Sequence, residues 1–109
     1  MVESLQSGTV ITHERIATIA DGIGVRVPVP EALQDLAGLV DDYVLVPDSS
    51  TLTAMKLLHQ HAGIVAEPSG AVGLAGIMQE SLRLQGQTIA TIVCGGNLTL
   101  AQMREWLND

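Results

Sequence analysis

Thr88–Asn97, TIATIVCGGN, is the stretch on which the reading of this 109-residue chain turns. Ile89, Ala90, Ile92 and Val93 form a short β-branched run that breaks off at Gly95-Gly96, the pattern of a buried strand. Beyond it, Thr99 and Gln102 stand at capping-box spacing and open a helix that contains Met103, Trp106 and Leu107. Cys94 and the two glycines therefore fall where a strand hands over to a helix, the edge of an open α/β sheet at which ligands bind. Glycine lets backbone approach a ligand closely, and a following helix offers free N–H groups. A plain tight connection fits the same residues.

Working back from this stretch, Ala71–Met78 (AVGLAGIM) is small and apolar all round. Gly70, Gly73 and Gly76 would each cost about 1 kcal/mol relative to alanine inside a helix, so they predict close packing against backbone or a ligand. Ile64–Ala66 is a very short apolar run leading into Glu67-Pro68-Ser69-Gly70. Asp48, Ser49 or Ser50 can cap a helix that runs to about His61 and stops at Gly63. Tyr43–Val46 reads as a short strand ended by Pro47. Pro30 opens a helix with Leu33, Leu36, Ala37 and Val40 on one face, closed by Asp41-Asp42. Met1–Gly8 reads as a helix end, and Thr9–Val27, with turn signals at Asp21-Gly22 and Gly24, as irregular. Short apolar strands alternating with helices predict an α/β fold over residues 1–109: one domain, a layered open, largely parallel sheet flanked by helices.

Composition narrows the functional classes. Hydrophobic residues make up 47% of the chain, which excludes disorder for most of it. With only Tyr43 and Trp106 as aromatics, the core must be aliphatic. A formal net charge of −7, without a basic patch or an aromatic platform, argues against a nucleic-acid partner. The single cysteine excludes an intrachain disulfide and fits a reducing compartment. No run has the length of a membrane span and MVESLQSG lacks a signal-peptide pattern, so the expectation is a cytoplasmic protein with no membrane partner.

Few residues could carry chemistry. His13, His59 and His61 lack metal-ligand spacing to one another or to carboxylates. Cys94, with no base that sequence can pair with it, reads as a buried, inert thiol at the end of a core strand. Glu67 stands between an apolar run and a glycine-rich helix, where a carboxylate needs a partner. Stabilisation of a helix N-terminus and contact with a ligand both fit it.

Four segments, Thr18-Ile19-Ala20-Asp21-Gly22, Val40-Asp41-Asp42, Glu67-Pro68-Ser69-Gly70-Ala71 and Cys94-Gly95-Gly96-Asn97, occur in the order found in threonine and serine dehydratases, which the chain resembles from about Met1 to Asn97. Those are pyridoxal-phosphate enzymes of the tryptophan-synthase β-like fold. The resemblance implies part of a fold type II large domain, the C-terminal portion of its catalytic domain. It also implies β-elimination from an amino-acid substrate to give a 2-oxo acid and ammonia. By the same resemblance Cys94 would stand beside the cofactor's pyridine nitrogen, where serine is usual. Gly22 would lie near the ring, Glu67 behind it, and Gly95 and Gly96 would allow close approach. A thiol is a weak, neutral partner for that nitrogen and leaves the ring a milder electron sink than an aspartate partner would.

The family's Schiff-base lysine and glycine-rich phosphate loop lie in a segment upstream of the one matched here. The single lysine, Lys56, falls on a predicted helix within TAMKLLHQ and reads as a solvated residue. The expectation is therefore a chain inactive alone, with pyridoxal phosphate not bound by it in isolation. It would associate as a homo-oligomer, a dimer through the Ala71–Met78 helix, or with a missing N-terminal half. The other expectation is a non-catalytic binding or oligomerisation module derived from that fold.

Overall fold

A computed structural model describes residues 1–108; Asp109, the last residue of the expected domain, lies outside the described residues. Five α-helices and one 3-10 turn make up its regular structure. They are α1 (Val2–Ser7), the 3-10 turn (Asp21–Ile23), α2 (Pro30–Leu36), α3 (Asp48–Ala62), α4 (Pro68–Gln79) and α5 (Leu100–Trp106).

The helices end where their sequences provide for it. Gly8 and Gly63 adopt φ of +71° and +66°, the left-handed conformation that closes α1 and α3. At Gly63, the Ile64 N–H also reaches back to the Leu58 carbonyl at 3.1 Å. Thr99 and Gln102 form the reciprocal capping box that starts α5. α2 is shorter than expected. It ends at Leu36 because the chain turns through Gly38 at φ +77°, and Val40 lies outside the helix. At α3 no side chain caps the first turn, and the Asp48 carboxylate turns instead to a distant segment described below.

The expected parallel sheet is not formed. Among the described residues there is no strand, and this overturns both the α/β class and the fold type II assignment drawn from the resemblance. Residues 43–46, 64–66 and 89–93, the three apolar runs read as strands, are irregular. A parallel ladder requires aligned neighbours and cover on both faces. The run at 89–93 instead meets α4 on one side and solvent on the other, with Ile92 82% exposed. Leu45 in the 43–46 run is 74% exposed. One backbone bond links two of the runs where they end, from the Glu67 N–H to the Gly95 carbonyl at 3.0 Å.

The core lies between α3 and α4 and is built from small residues. Ala54 and Met55 of α3 meet Ala71 and Ala75 of α4, with Ala66 and Leu107 completing the buried cluster. Val46, Leu58, Leu74, Met103 and Trp106 cover its margins. The three glycines of α4 explain themselves here. Gly70 abuts the Gly95 backbone, Gly73 faces the Thr91 hydroxyl, and Gly76 sits under Val46. At i, i+3 and i+6 they line a groove along α4, and its first two members receive the 91–95 segment. The molecule is flat, 41 × 37 × 19 Å, with a radius of gyration of 15.1 Å. A compact domain of this length has a radius near 13 Å.

Candidate functional site

The N-terminus of α4 is where distant segments converge. Glu67 precedes the helix; Pro68 supplies the first helical residue, where a missing N–H costs nothing. The Glu67 carbonyl accepts the Gly70 and Ala71 N–H groups at 3.0 and 3.1 Å, which opens the helix. Its side chain makes no cap bond. Oε2 accepts the Asn97 N–H at 2.9 Å, and the Glu67 N–H donates to the Gly95 carbonyl. One residue thus holds the Cys94–Asn97 turn at both ends. The Glu67 carboxylate stands at the start of α4 and uses its Oε2 for a tie to a segment thirty residues away.

Gly22 arrives from the other direction. A Cβ placed on it would stand 2.8 Å from the Ser69 Oγ and 3.8 Å from Glu67 Oε1, so only glycine packs there without displacement. The turn carrying Gly22 is moored by Asp48: Oδ1 accepts the Thr18 hydroxyl at 2.6 Å and Oδ2 accepts the Ile19 N–H at 3.1 Å. Gly95 presses against the Glu67 side chain, and Gly96 lies against the Val65 carbonyl. The Cys94 thiol points toward the Ser69 carbonyl at 3.9 Å, a weak bond.

Gly22, Glu67, Cys94 and Gly95, four of the five residues singled out in the sequence, therefore gather at the start of α4, Gly22 and Cys94 against Ser69 and Gly95 against Glu67 and Gly70, and Gly96 lies one residue along on Val65. One expectation is corrected: Cys94 is exposed rather than buried, because the run that precedes it has no sheet over it. Ser69 itself escaped the sequence reading. It is 7% exposed, and its hydroxyl has no hydrogen-bond partner among the described residues. Leaving such a group unpaired costs about 1–3 kcal/mol. The available signal was its position two residues after Glu67, in the first turn of a helix that begins at Pro68.

The charges are one-sided. Glu67 and Asp21 flank the cluster. Of the cations, Arg83 pairs with Asp42 and Glu80 at 3.0 and 2.9 Å, and Arg26 reaches the His13 carbonyl. Lys56 is half-buried in mid-α3 rather than fully solvated. No group of three or more metal-binding side chains occurs among the described residues. A cleft of about 730 Å³ lies next door, walled by Ala20, Ile23, Val44, Val46 and Val72. Its lining also carries polar groups, among them His13, which pairs with Glu3 at 2.9 Å, and Thr18, whose hydroxyl is given to Asp48; it does not include Glu67, Ser69 or Cys94.

Comparison with known proteins identifies the setting. The profile described as "Pyridoxal-phosphate dependent enzyme" matches residues 1–95. The chain belongs to that family. Its sequence is 32% identical over 103 residues to the L-threonine dehydratase biosynthetic IlvA of Bacillus subtilis, covering 94% of this chain and 24% of that protein. It is 33% identical over 106 residues to the L-threonine dehydratase catabolic TdcB of Staphylococcus aureus, covering 94% and 31%. Its backbone is similar to that of the processed form of threonine deaminase isoform 2 from Solanum lycopersicum, with a TM-score of 0.86 and 26% identity over 94% of this chain and 31% of the other. The chain thus spans about a quarter to a third of the length of these relatives. Kinship at the level of the family stands without a hydrogen-bonded sheet among the described residues.

The cluster fits one end of pyridoxal phosphate. A flat heteroaromatic ring needs bare backbone to lie on and neutral donors at its edge; Gly22 gives the first, and Cys94 and the unpaired Ser69 hydroxyl give the second. The phosphate end finds no basic side chain in the cluster, and the attachment lysine has no counterpart there.

Proposed function

We propose that this chain contributes the ring-side wall of a pyridoxal-phosphate site in a lyase acting on threonine or serine, and that alone it is inert. The convergence of Gly22, Glu67, Cys94 and Gly95 at the start of α4, in a member of this enzyme family, carries the reading. Bound pyridoxal phosphate supplies an electron sink for elimination at the β-carbon of an amino acid, giving a 2-oxo acid and ammonia. The chain's own residues bind and orient. Gly22 would offer backbone without a side chain, and Cys94 and Gly95-Gly96 would stand at the edge of the ring. Glu67 acts as a positioning residue, through Asn97 and Gly95. Cys94, a weak neutral donor, would leave the ring nitrogen without a proton of its own. The residues behave as one unit, held in the cytoplasm, where a single exposed thiol stays reduced.

No lysine stands in the cluster, so the cofactor would be held reversibly and without covalent attachment. Stoichiometric retention would need a phosphate cradle and an amine from another polypeptide segment. Mixing the chain with pyridoxal phosphate should give no visible absorption band that depends on Lys56, and no 2-oxo acid from threonine. A band lost in Lys56→Ala and accompanied by 2-oxo acid release would overturn the reading.

A second reading, association with another copy, is favoured by the exposure of Leu45 and Ile92 on a flat molecule. Sedimentation across micromolar concentrations should show a dimer; a monomer throughout would remove it. No helix among the described residues is long and apolar enough to cross a membrane.

A further inference from the structure

We infer that Ser69 is a cofactor-contacting residue, its hydroxyl being the donor that a ring acceptor atom of pyridoxal phosphate takes up beside Cys94. This rests on the proposed ring-side site and adds to it a residue that neither the motif reading nor the comparisons assign. Three observations on the same residue carry it. The hydroxyl is more than nine-tenths buried and unpartnered, in a part of the fold where neighbouring polar groups are otherwise tied. It packs against Gly22, where a Cβ would stand 2.8 Å from the Oγ, so bare backbone is what lies beside it. The main-chain carbonyl of the same residue lies 3.9 Å from the Cys94 thiol, so Ser69 and Cys94 are neighbours. A buried hydroxyl that opposes folding is retained where a ligand completes it.

The chemistry of the surroundings selects the ligand atom. Glu67 Oε1 lies 3.8 Å from the position that a Gly22 Cβ would occupy, and Asp21 is adjacent in the chain, so an anionic group is disfavoured here. An uncharged acceptor on a flat ring meets no such penalty. A phosphate group would therefore not be taken up at Ser69.

The test is an amide-resolved NMR titration of the chain with pyridoxine 5′-phosphate, which lacks the aldehyde and cannot attach to lysine, run to millimolar concentration. Shifts should localise to Gly22, Ser69, Cys94 and Gly95. Ser69→Ala should weaken the binding about fivefold or more, the loss of one hydrogen bond, while its melting temperature stays level or rises. Ser69→Thr, which keeps the hydroxyl, should recover most of the affinity. Unchanged affinity in Ser69→Ala would overturn the role of Ser69 and leave the ring-side site standing. Absence of any shift in the wild-type chain would overturn both. The same shifts from inorganic phosphate alone would mean that the cluster takes an anion, and would overturn the assignment of a ring acceptor.

Discussion

The carboxylate of Glu67 accepts the backbone N–H of Asn97 at 2.9 Å, thirty residues along the chain. With the bond from the Glu67 N–H to Gly95, it fastens the Cys94–Asn97 turn to the start of α4. Glu67→Ala removes the acceptor and should cost about 1–2 kcal/mol, lowering the melting temperature by roughly 5–10 °C. Glu67→Gln retains an oxygen at the same reach and should cost less than half of that. Thermal unfolding followed by far-ultraviolet circular dichroism measures both; equal losses for the two variants would show that charge, and not the Asn97 bond, is what matters.

The α4 glycines divide into two kinds. A Cβ on Gly70 would stand 2.6 Å from the Gly95 carbonyl oxygen and 3.0 Å from its nitrogen, and backbone cannot yield cheaply. Gly70→Ala should therefore destabilise by about 1–3 kcal/mol. At Gly76 the nearest atom is a Val46 methyl at 3.7 Å, an ordinary contact. Gly76→Ala should stabilise by about 0.5–1 kcal/mol through helix propensity. Urea midpoints of opposite sign relative to wild type are the expected result.

Cys94 lies at the surface, so an aromatic disulfide reagent should label it in the folded chain at a rate near that of the unfolded chain. Labelling that begins only in denaturant would mean that another chain covers it. Although the Glu67 ties fix this turn, Glu67→Ala should change the labelling rate little, as the thiol is already open.

Asp48 moors the segment that carries Gly22, through Thr18 and Ile19. Asp48→Ala should free residues 14–26 and hasten proteolysis there severalfold, with α3 itself intact. Cleavage confined to the same sites at the same rate as in wild type would show that the contacts of Gly22 hold the segment unaided.

The helices are legible in the sequence because their signals are local. Pro30 and Pro68 at helix starts, Gly8 and Gly63 at ends, and the Thr99–Gln102 box each act within one turn. The strands are not, because β-branched runs report burial and extension, whereas a ladder also needs a partner aligned along its length. The run at 89–93 finds a helix surface instead, in the groove of Gly70 and Gly73. Gly22, Glu67 and Cys94 are visible as motif residues, yet their meeting at Ser69 depends on contacts far apart in the chain, Gly22 with Ser69 and Cys94 with Ser69. The roles of Ser69 and Asp48 are faint in the sequence: Ser69 is marked only by its place after Glu67-Pro68, and Asp48 looks like a routine helix-start residue.

The flatness of the molecule has a thermodynamic counterpart. Its accessible surface is 7446 Å², where a folded monomer of 11.5 kDa has about 5,800 Å². Less surface is left to be uncovered on denaturation, so the dependence of its stability on urea should be shallow for its length, and so should its heat-capacity increment. A broad transition is then the normal behaviour of this chain on its own. A steepening of that slope on adding another polypeptide would measure, in square ångströms, how much of the open face that polypeptide covers.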